Sequence, residues 1–267
     1  MARAKRHYIP GHIWHITHRC HKREFLLKFA RDRRRWLQWL LEAKKRYGLV
    51  VLNYIVTSNH IHLIVVDDGD RGVIAKSMQL IAGRTGQEYN QRKKRKGAYW
   101  EDRYHATAVE SGEHLLRCMI YVDLNMLRAG IVHHPSEWVS SGYSEIQCPR
   151  RKCSLIAYER LRALAGFDSY DEFRVSHRNW VTAALDNSGS TRDSMWTQSI
   201  AVGSEEFIGR TKEALGISAK GRKVLESGEV FHLREPTVSY NLDFGTKNND
   251  IGGENSYFWN ENIDISI

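Results

Sequence analysis

The chain has 267 residues, 42% of them hydrophobic, and a formal net charge of +9 at pH 7. That length and apolar content suit a packed globular protein and exclude a disordered or fibrous one. No segment reaches the roughly 20 apolar residues that a membrane-spanning helix needs, and "MARAKRHYIPGHIWH" lacks the apolar stretch of a secretion signal, so a cytoplasmic location with no membrane partner is expected. The four cysteines, Cys20, Cys118, Cys148 and Cys153, are then expected as reduced thiols. The charge is polarised: residues 1–150 hold 26 Lys and Arg against 14 Asp and Glu, whereas residues 151–267 hold 14 against 17. A positive field of that kind favours a polyanion, of which nucleic acid is the usual one.

"GHIWHITHRC", residues 11–20, alternates as a first strand does, with Ile13, His15 and Thr17 on one face and Trp14, Ile16 and His18 on the other. From Asp32 to Tyr47 the apolar positions recur at helical spacing and Gly48 supplies a stop. "LVVLNYIV" (49–56) and "HIHLIVV" (60–66) are β-branched runs joined by "TSN", as in a hairpin. A second helix is expected from about Ile74 to Arg92, ending in "RKKRK", and a short strand from His105 to Val109. Ser111 is the expected N-cap of a third helix that runs to Gly130. Strand, helix, hairpin, helix, strand and helix make an α+β pattern, an antiparallel sheet with helices in ferredoxin-like order. The texture changes near Ser144. Residues 1–147 are therefore read as one domain, and 148–267 as a mostly helical C-terminal extension with a peripheral tail; its candidate helices lie near Leu155 to Ala165, Ser169 to His177 and Glu205 to Leu215.

His60 and His62 share one face of the third expected strand, and two imidazoles a strand repeat apart can grip one metal ion from one side. Tyr121 and Asn125 are four residues apart on the third helix, hence on one face, away from the apolar stripe of Leu115, Met119, Val122 and Met126. Tyr121 is expected to face a polar cleft, and Asn125 offers an amide oxygen as a third metal ligand. A tyrosine, an amide and a His-x-His strand can serve phosphoryl transfer: a divalent cation polarises the phosphoryl oxygen, and the phenol, with an unperturbed pKa near ~10, attacks phosphorus. Taken singly, each residue also has a structural reading, as a packing tyrosine or a surface histidine. Cys148 and Cys153 with His133 and His134 have irregular spacing for zinc.

Taken in order, "YIPGHIWHITHRC", "SNHIHLIV", "GAYWEDRYHATAVES" and "LLRCMIYVDLNMLRAGIV" resemble the successive blocks of the HUH single-tyrosine transposases, specifically the REP-associated tyrosine transposases of bacteria, over about residues 7–146. The resemblance implies a metal-dependent endonuclease and strand transferase that cuts single-stranded DNA near hairpin-forming repeats, such as repetitive extragenic palindromes. It implies His60, His62 and Asn125 as metal ligands, Mg²⁺ or Mn²⁺ as the cofactor, Tyr121 as the nucleophile of a 5′-phosphotyrosine intermediate, and a nucleoid-associated monomer or homodimer. Thr57 and Ser58 stand where many relatives have Met-Pro, and Met126 where many have Pro; altered local geometry rather than lost activity is expected. Candidate phosphate contacts are Lys22, Arg23, Arg31, Arg33, Arg34, Arg35, Arg92, Lys93, Lys94, Arg95, Lys96, Arg103, Arg117 and Arg128, and candidate base-stacking rings are Trp14, Trp100 and Tyr104. The alternatives are a non-catalytic hairpin-DNA-binding protein and a metal-binding RNA-associated protein.

Overall fold

A computed structural model describes residues 9–67, 69–70, 72–186 and 193–235. In chain order the strands are β1 (Ile13–Arg19), β2 (Val50–Val56), β3 (His60–Val66), β4 (His105–Val109), β5 (Ser199–Gly203), β6 (Lys223–Ser227) and β7 (Val230–Arg234). The helices are α1 (Ala30–Tyr47), α2 (Val73–Lys93), α3 (Glu113–Asp123), α4 (Asn125–Arg128), α5 (Tyr143–Gln147), α6 (Tyr158–Ala165), α7 (Tyr170–Asp186), α8 (Met195–Gln198) and α9 (Glu205–Leu215).

The described strands form one sheet in the order β2-β3-β1-β4-β5-β7-β6. The first four strands pair antiparallel with β1 and β3 in the middle, which is the ferredoxin-like arrangement. Their interior is continuous apolar surface: Ile16, Leu63, Ile64 and Val65 are fully buried. Gly48, in the left-handed region at φ 72°, ends α1 and donates its amide to the Lys44 carbonyl at 3.0 Å. Helix α2 sits on the sheet face that carries Ile16 and His18, where Trp100 stacks on His18 and donates Nε1 to the Ala82 carbonyl at 3.0 Å.

Three differences from the sequence reading matter for the site. The third helix is interrupted: Leu124 (φ −81°, ψ 5°) separates α3 from α4, and the Arg128 guanidinium takes the Tyr121 carbonyl as its acceptor. Gly112, not Ser111, occupies the N-cap of α3, with a φ of 69° that suits glycine. The extension adds three strands as well as helices, with β5 lying parallel beside β4. Strand β5, "SIAVG", is buried along its whole length, so no polar alternation marks it in the sequence. The described residues up to 235 belong to one compact unit. The expected peripheral tail lies outside the described residues.

Strand β2 carries an irregularity between Val51 and Asn53, beside which the α5 approach lies flush: Gly142 donates its amide to the Tyr54 carbonyl at 2.7 Å. A Cβ at Gly142 would stand 2.2 Å from Asn53 Oδ1 and 3.2 Å from the Tyr54 nitrogen. Gly142→Ala is therefore expected to lower stability by about 1–3 kcal/mol, read as a lower urea midpoint at unchanged slope. Among the described residues no helix is long and apolar enough to cross a membrane.

Candidate active site

One face of the sheet is paved with polar side chains. The β1–β3 and β1–β4 registers place Thr17 opposite both His62 and His105, and His15 opposite Thr107. Because side chains alternate along a strand, His15, Thr17 and Arg19 share this face with His60, His62, His105 and Thr107. Helices α3 and α4 bring Tyr121 and Asn125 above it, and α8 brings Trp196, Thr197 and Gln198. The result is a cavity of about 560 Å³ whose walls include His60, His62, Tyr121 and Asn125 together with Arg19, Arg103 and Arg128.

The four residues expected to carry chemistry therefore meet in one place. The Tyr121 ring lies 5.8 Å from that of His62 and 6.1 Å from that of His15, edge-on to both. The Arg128 guanidinium stands 4.3 Å over the Tyr121 ring, a cation–π contact that keeps a positive charge beside the phenol. The Asn125 amide nitrogen is 3.1 Å from His62 Nε2. His60 presents Nδ1 to Asn59 Oδ1 at 2.7 Å and to Thr57 Oγ1 at 3.0 Å. An amide oxygen only accepts, so His60 Nδ1 bears a proton and its Nε2 edge is the one turned from this pair. Thr57, one of the departures from the family pattern, thus acts as an orienter of His60; its hydroxyl also donates to the His60 carbonyl at 2.8 Å.

The donor set fits a divalent cation. Two imidazoles with ring centroids 5.0 Å apart and one amide supply three nitrogen or oxygen ligands and leave positions for substrate. The side-chain amide can turn over to present its oxygen in place of its nitrogen. Among the described residues no group of three or more His, Cys, Asp and Glu is placed to hold a metal, so Cys148, Cys153, His133 and His134 form no zinc site.

His15, His105 and Thr107 are absent from the set read from the sequence. His15 has no exposed surface, and burial pushes its pKa down to about 4, so the ring is neutral. His105 is also lowered by burial; it faces the Ser199 carbonyl at 3.0 Å. A signal for them existed: "HIT" in β1 and "HAT" in β4 repeat the polar-apolar-polar spacing of "HIH" in β3.

The cationic and aromatic candidates distribute less uniformly. Arg103 and Arg128 line the site, Tyr104 meets His18 edge-on at 6.5 Å, and Trp100 stacks on His18 at 4.1 Å. Arg31, Arg34, Arg35 and Arg92 line a second cleft of about 490 Å³ between α1 and α2. Within it Arg35 is paired with Glu88 and Arg92 with Asp32, while Arg31 and Arg34 are exposed. Lys93, Lys94, Arg95 and Lys96 close α2, and Lys22 and Arg23 sit in the turn after β1 with positive φ values of 50° and 60°. Arg117 pairs with Glu113 on its own helix. Arg33 is a brace: it donates to Ser140 Oγ and the Leu27 carbonyl, and its guanidinium stacks 4.5 Å over Trp138. Trp14 must be withdrawn as a stacking ring. It is 4% exposed, on the apolar face of β1, and its ring is part of the core.

Residues 9–124 match the model of the IS200-like transposase family. Among solved structures the chain is similar to a REP-associated tyrosine transposase bound to a REP hairpin, at 17% identity and a TM-score of 0.48 over 56% of this chain and 87% of that one. It is also similar to a protein described as a transposase from Deinococcus radiodurans R1, at 14% identity and a TM-score of 0.33 over 49% of this chain and 98% of that one. No curated protein matches the chain. Residues 9–124, the stretch that holds His60, His62 and Tyr121, therefore carry the likeness to the IS200-like transposases.

Proposed function

We propose that the protein is a metal-dependent endonuclease and strand transferase that cuts single-stranded DNA beside hairpin-forming repeats of the repetitive extragenic palindrome kind. The observation that carries this reading is the convergence of Tyr121, His62 and Asn125 on one cavity, with a 5.8 Å ring separation and a 3.1 Å side-chain contact. Bound by His60, His62 and Asn125, Mg²⁺ or Mn²⁺ would polarise a phosphoryl oxygen and stabilise the leaving alkoxide. The chain's own groups do the rest. Arg103 and Arg128 hold the phosphodiester by charge at the cavity wall. The Tyr121 oxygen bonds to phosphorus as the bond to the 3′-oxygen breaks; the phenol loses its proton and the 3′-oxygen gains one. A 5′-phosphotyrosine and a free 3′-hydroxyl result, and attack by another 3′-hydroxyl reverses the step to join strands.

Residues 1–147 are the proposed catalytic domain, and the cytoplasm, at the nucleoid, its proposed place of action, as a monomer or homodimer. The exposed Arg31 and Arg34 on the rim of the second cleft are proposed phosphate contacts for the hairpin stem. Replacing both with alanine is expected to weaken hairpin binding and to flatten the plot of log affinity against log salt by about 0.7–0.9 for each arginine removed. An unchanged salt slope would place the stem elsewhere.

The deciding experiment is a denaturing gel of the protein with end-labelled single-stranded hairpins taken from repeats flanking its gene. Label that migrates with protein when Mg²⁺ or Mn²⁺ is present, and not with chelator, is the expected result. Tight hairpin binding with no cleavage under either metal would replace this reading with that of a hairpin-binding protein that organises its repeats.

A further inference from the structure

We infer that His15 is a positioning residue that holds His62 in its metal-ligating tautomer, and that the main-chain carbonyl of Trp196 sets it; this deepens, and rests on, the proposed reading of the site. A carbonyl oxygen can only accept a hydrogen bond, so the 2.8 Å contact between His15 Nδ1 and the Trp196 carbonyl puts a proton on Nδ1. A neutral buried imidazole has only one N–H, so His15 Nε2 carries a lone pair. That nitrogen faces His62 Nδ1 at 2.8 Å, and the single proton between them must then sit on His62. His62 is left with its lone pair on Nε2, the edge that meets Asn125 and lines the cavity.

The opposite tautomer of His15 would set two lone pairs against each other at the carbonyl. It would also donate to His62 Nδ1 and drive the His62 proton to Nε2, where it blocks ligation. Orientation is fixed along with protonation, because the two rings meet nitrogen to nitrogen, with centroids 5.0 Å apart and planes only 12° from parallel. The carbonyl itself is anchored. Helix α8 leads directly into β5, which pairs with β4, and Thr107 Oγ1 on β4 donates to the Ser199 carbonyl at 2.7 Å. Trp196 lies far beyond residues 9–124, so a segment of the extension acts on the catalytic face through its backbone. Partners of this type commonly govern the basicity and aim of a ligating histidine.

The test begins with long-range ¹H–¹⁵N correlation spectra of the full-length, histidine-labelled protein without metal. His62 is expected to be protonated on Nδ1 and bare on Nε2. A wild-type His62 protonated on Nε2 overturns the inference whether or not the protein cleaves DNA. Mn²⁺ binding, followed by electron paramagnetic resonance, supplies the second measurement. His15→Leu is expected to weaken Mn²⁺ binding roughly 10- to 100-fold. His15→Gln, whose amide can accept from His62 and donate to the Trp196 carbonyl, is expected to restore it. Equal Mn²⁺ affinity in His15→Leu and wild type refutes the relay; if the leucine variant fails to fold, the wild-type and His15→Gln spectra decide alone. A correct His62 tautomer without any tyrosine-linked cleavage would sink the catalytic reading and leave the relay standing.

Discussion

Tyr121→Phe is expected to abolish the covalent protein–DNA product and to lower strand cleavage on the order of 10⁴-fold or more, while hairpin affinity stays close to that of wild type. The phenylalanine ring keeps the edge-on contacts to His15 and His62 and the stack beneath Arg128, so the cavity retains its shape and only the attacking oxygen is gone. Loss of fold is not expected either, because Tyr121 is 7% exposed and the phenylalanine ring keeps the packing against His15, His62 and Trp196. The assay is the hairpin gel, run beside filter binding of the same labelled strand. Persistence of a labelled adduct in the variant would show that another oxygen attacks. Tyr104, near the same cavity through His18, is the residue to change next.

The largest loss of stability is expected from His177→Ala, about 3–5 kcal/mol, seen as a lowered denaturant midpoint. His177 on α7 donates from Nε2 to Asp123 on α3 at 2.9 Å, and neither side chain has exposed surface. Arg178 Nε donates to Gln147 Oε1, which turns the Gln147 amide nitrogen toward His177 Nδ1 at 3.0 Å and thereby directs the His177 proton to Asp123. Removing the imidazole leaves the Asp123 carboxylate buried with the Asn53 amide as its remaining hydrogen-bond donor at 3.0 Å. Asp123→Asn in the same background should recover part of the loss, because it removes the stranded charge. A His177→Ala protein as stable as wild type would mean that water reaches Asp123. Since Asp123 is two residues from Tyr121, the pair also fixes the helix that carries the proposed nucleophile, and cleavage should fall along with stability.

The alternation of "HIHLIVV" puts His60 and His62 on one face whatever the tertiary arrangement, because a strand's side chains alternate by geometry alone. The four-residue spacing of Tyr121 and Asn125 likewise survives the break at Leu124, since the chain turns through helical space on both sides of it. The sheet order of the first four strands follows from the order of elements and the short connection between β2 and β3. Trp14 fails as a base-stacking ring for a reason its own strand contains: it sits on the face that alternates away from His15, and that face packs into the core.

Local pattern therefore determined which strand and helix carry His60, His62, Tyr121 and Asn125, and which face each presents. Only the tertiary structure decided that His15 shares a proton with His62, that Trp196 supplies the acceptor behind it, and that β5 extends the sheet beside β4. His15 and Trp196 are separated by 181 residues, and a backbone carbonyl has no side-chain identity for a sequence to display. Their meeting depends on how a buried apolar strand docks on a sheet edge, a matter of packing across the whole domain that no local spacing encodes.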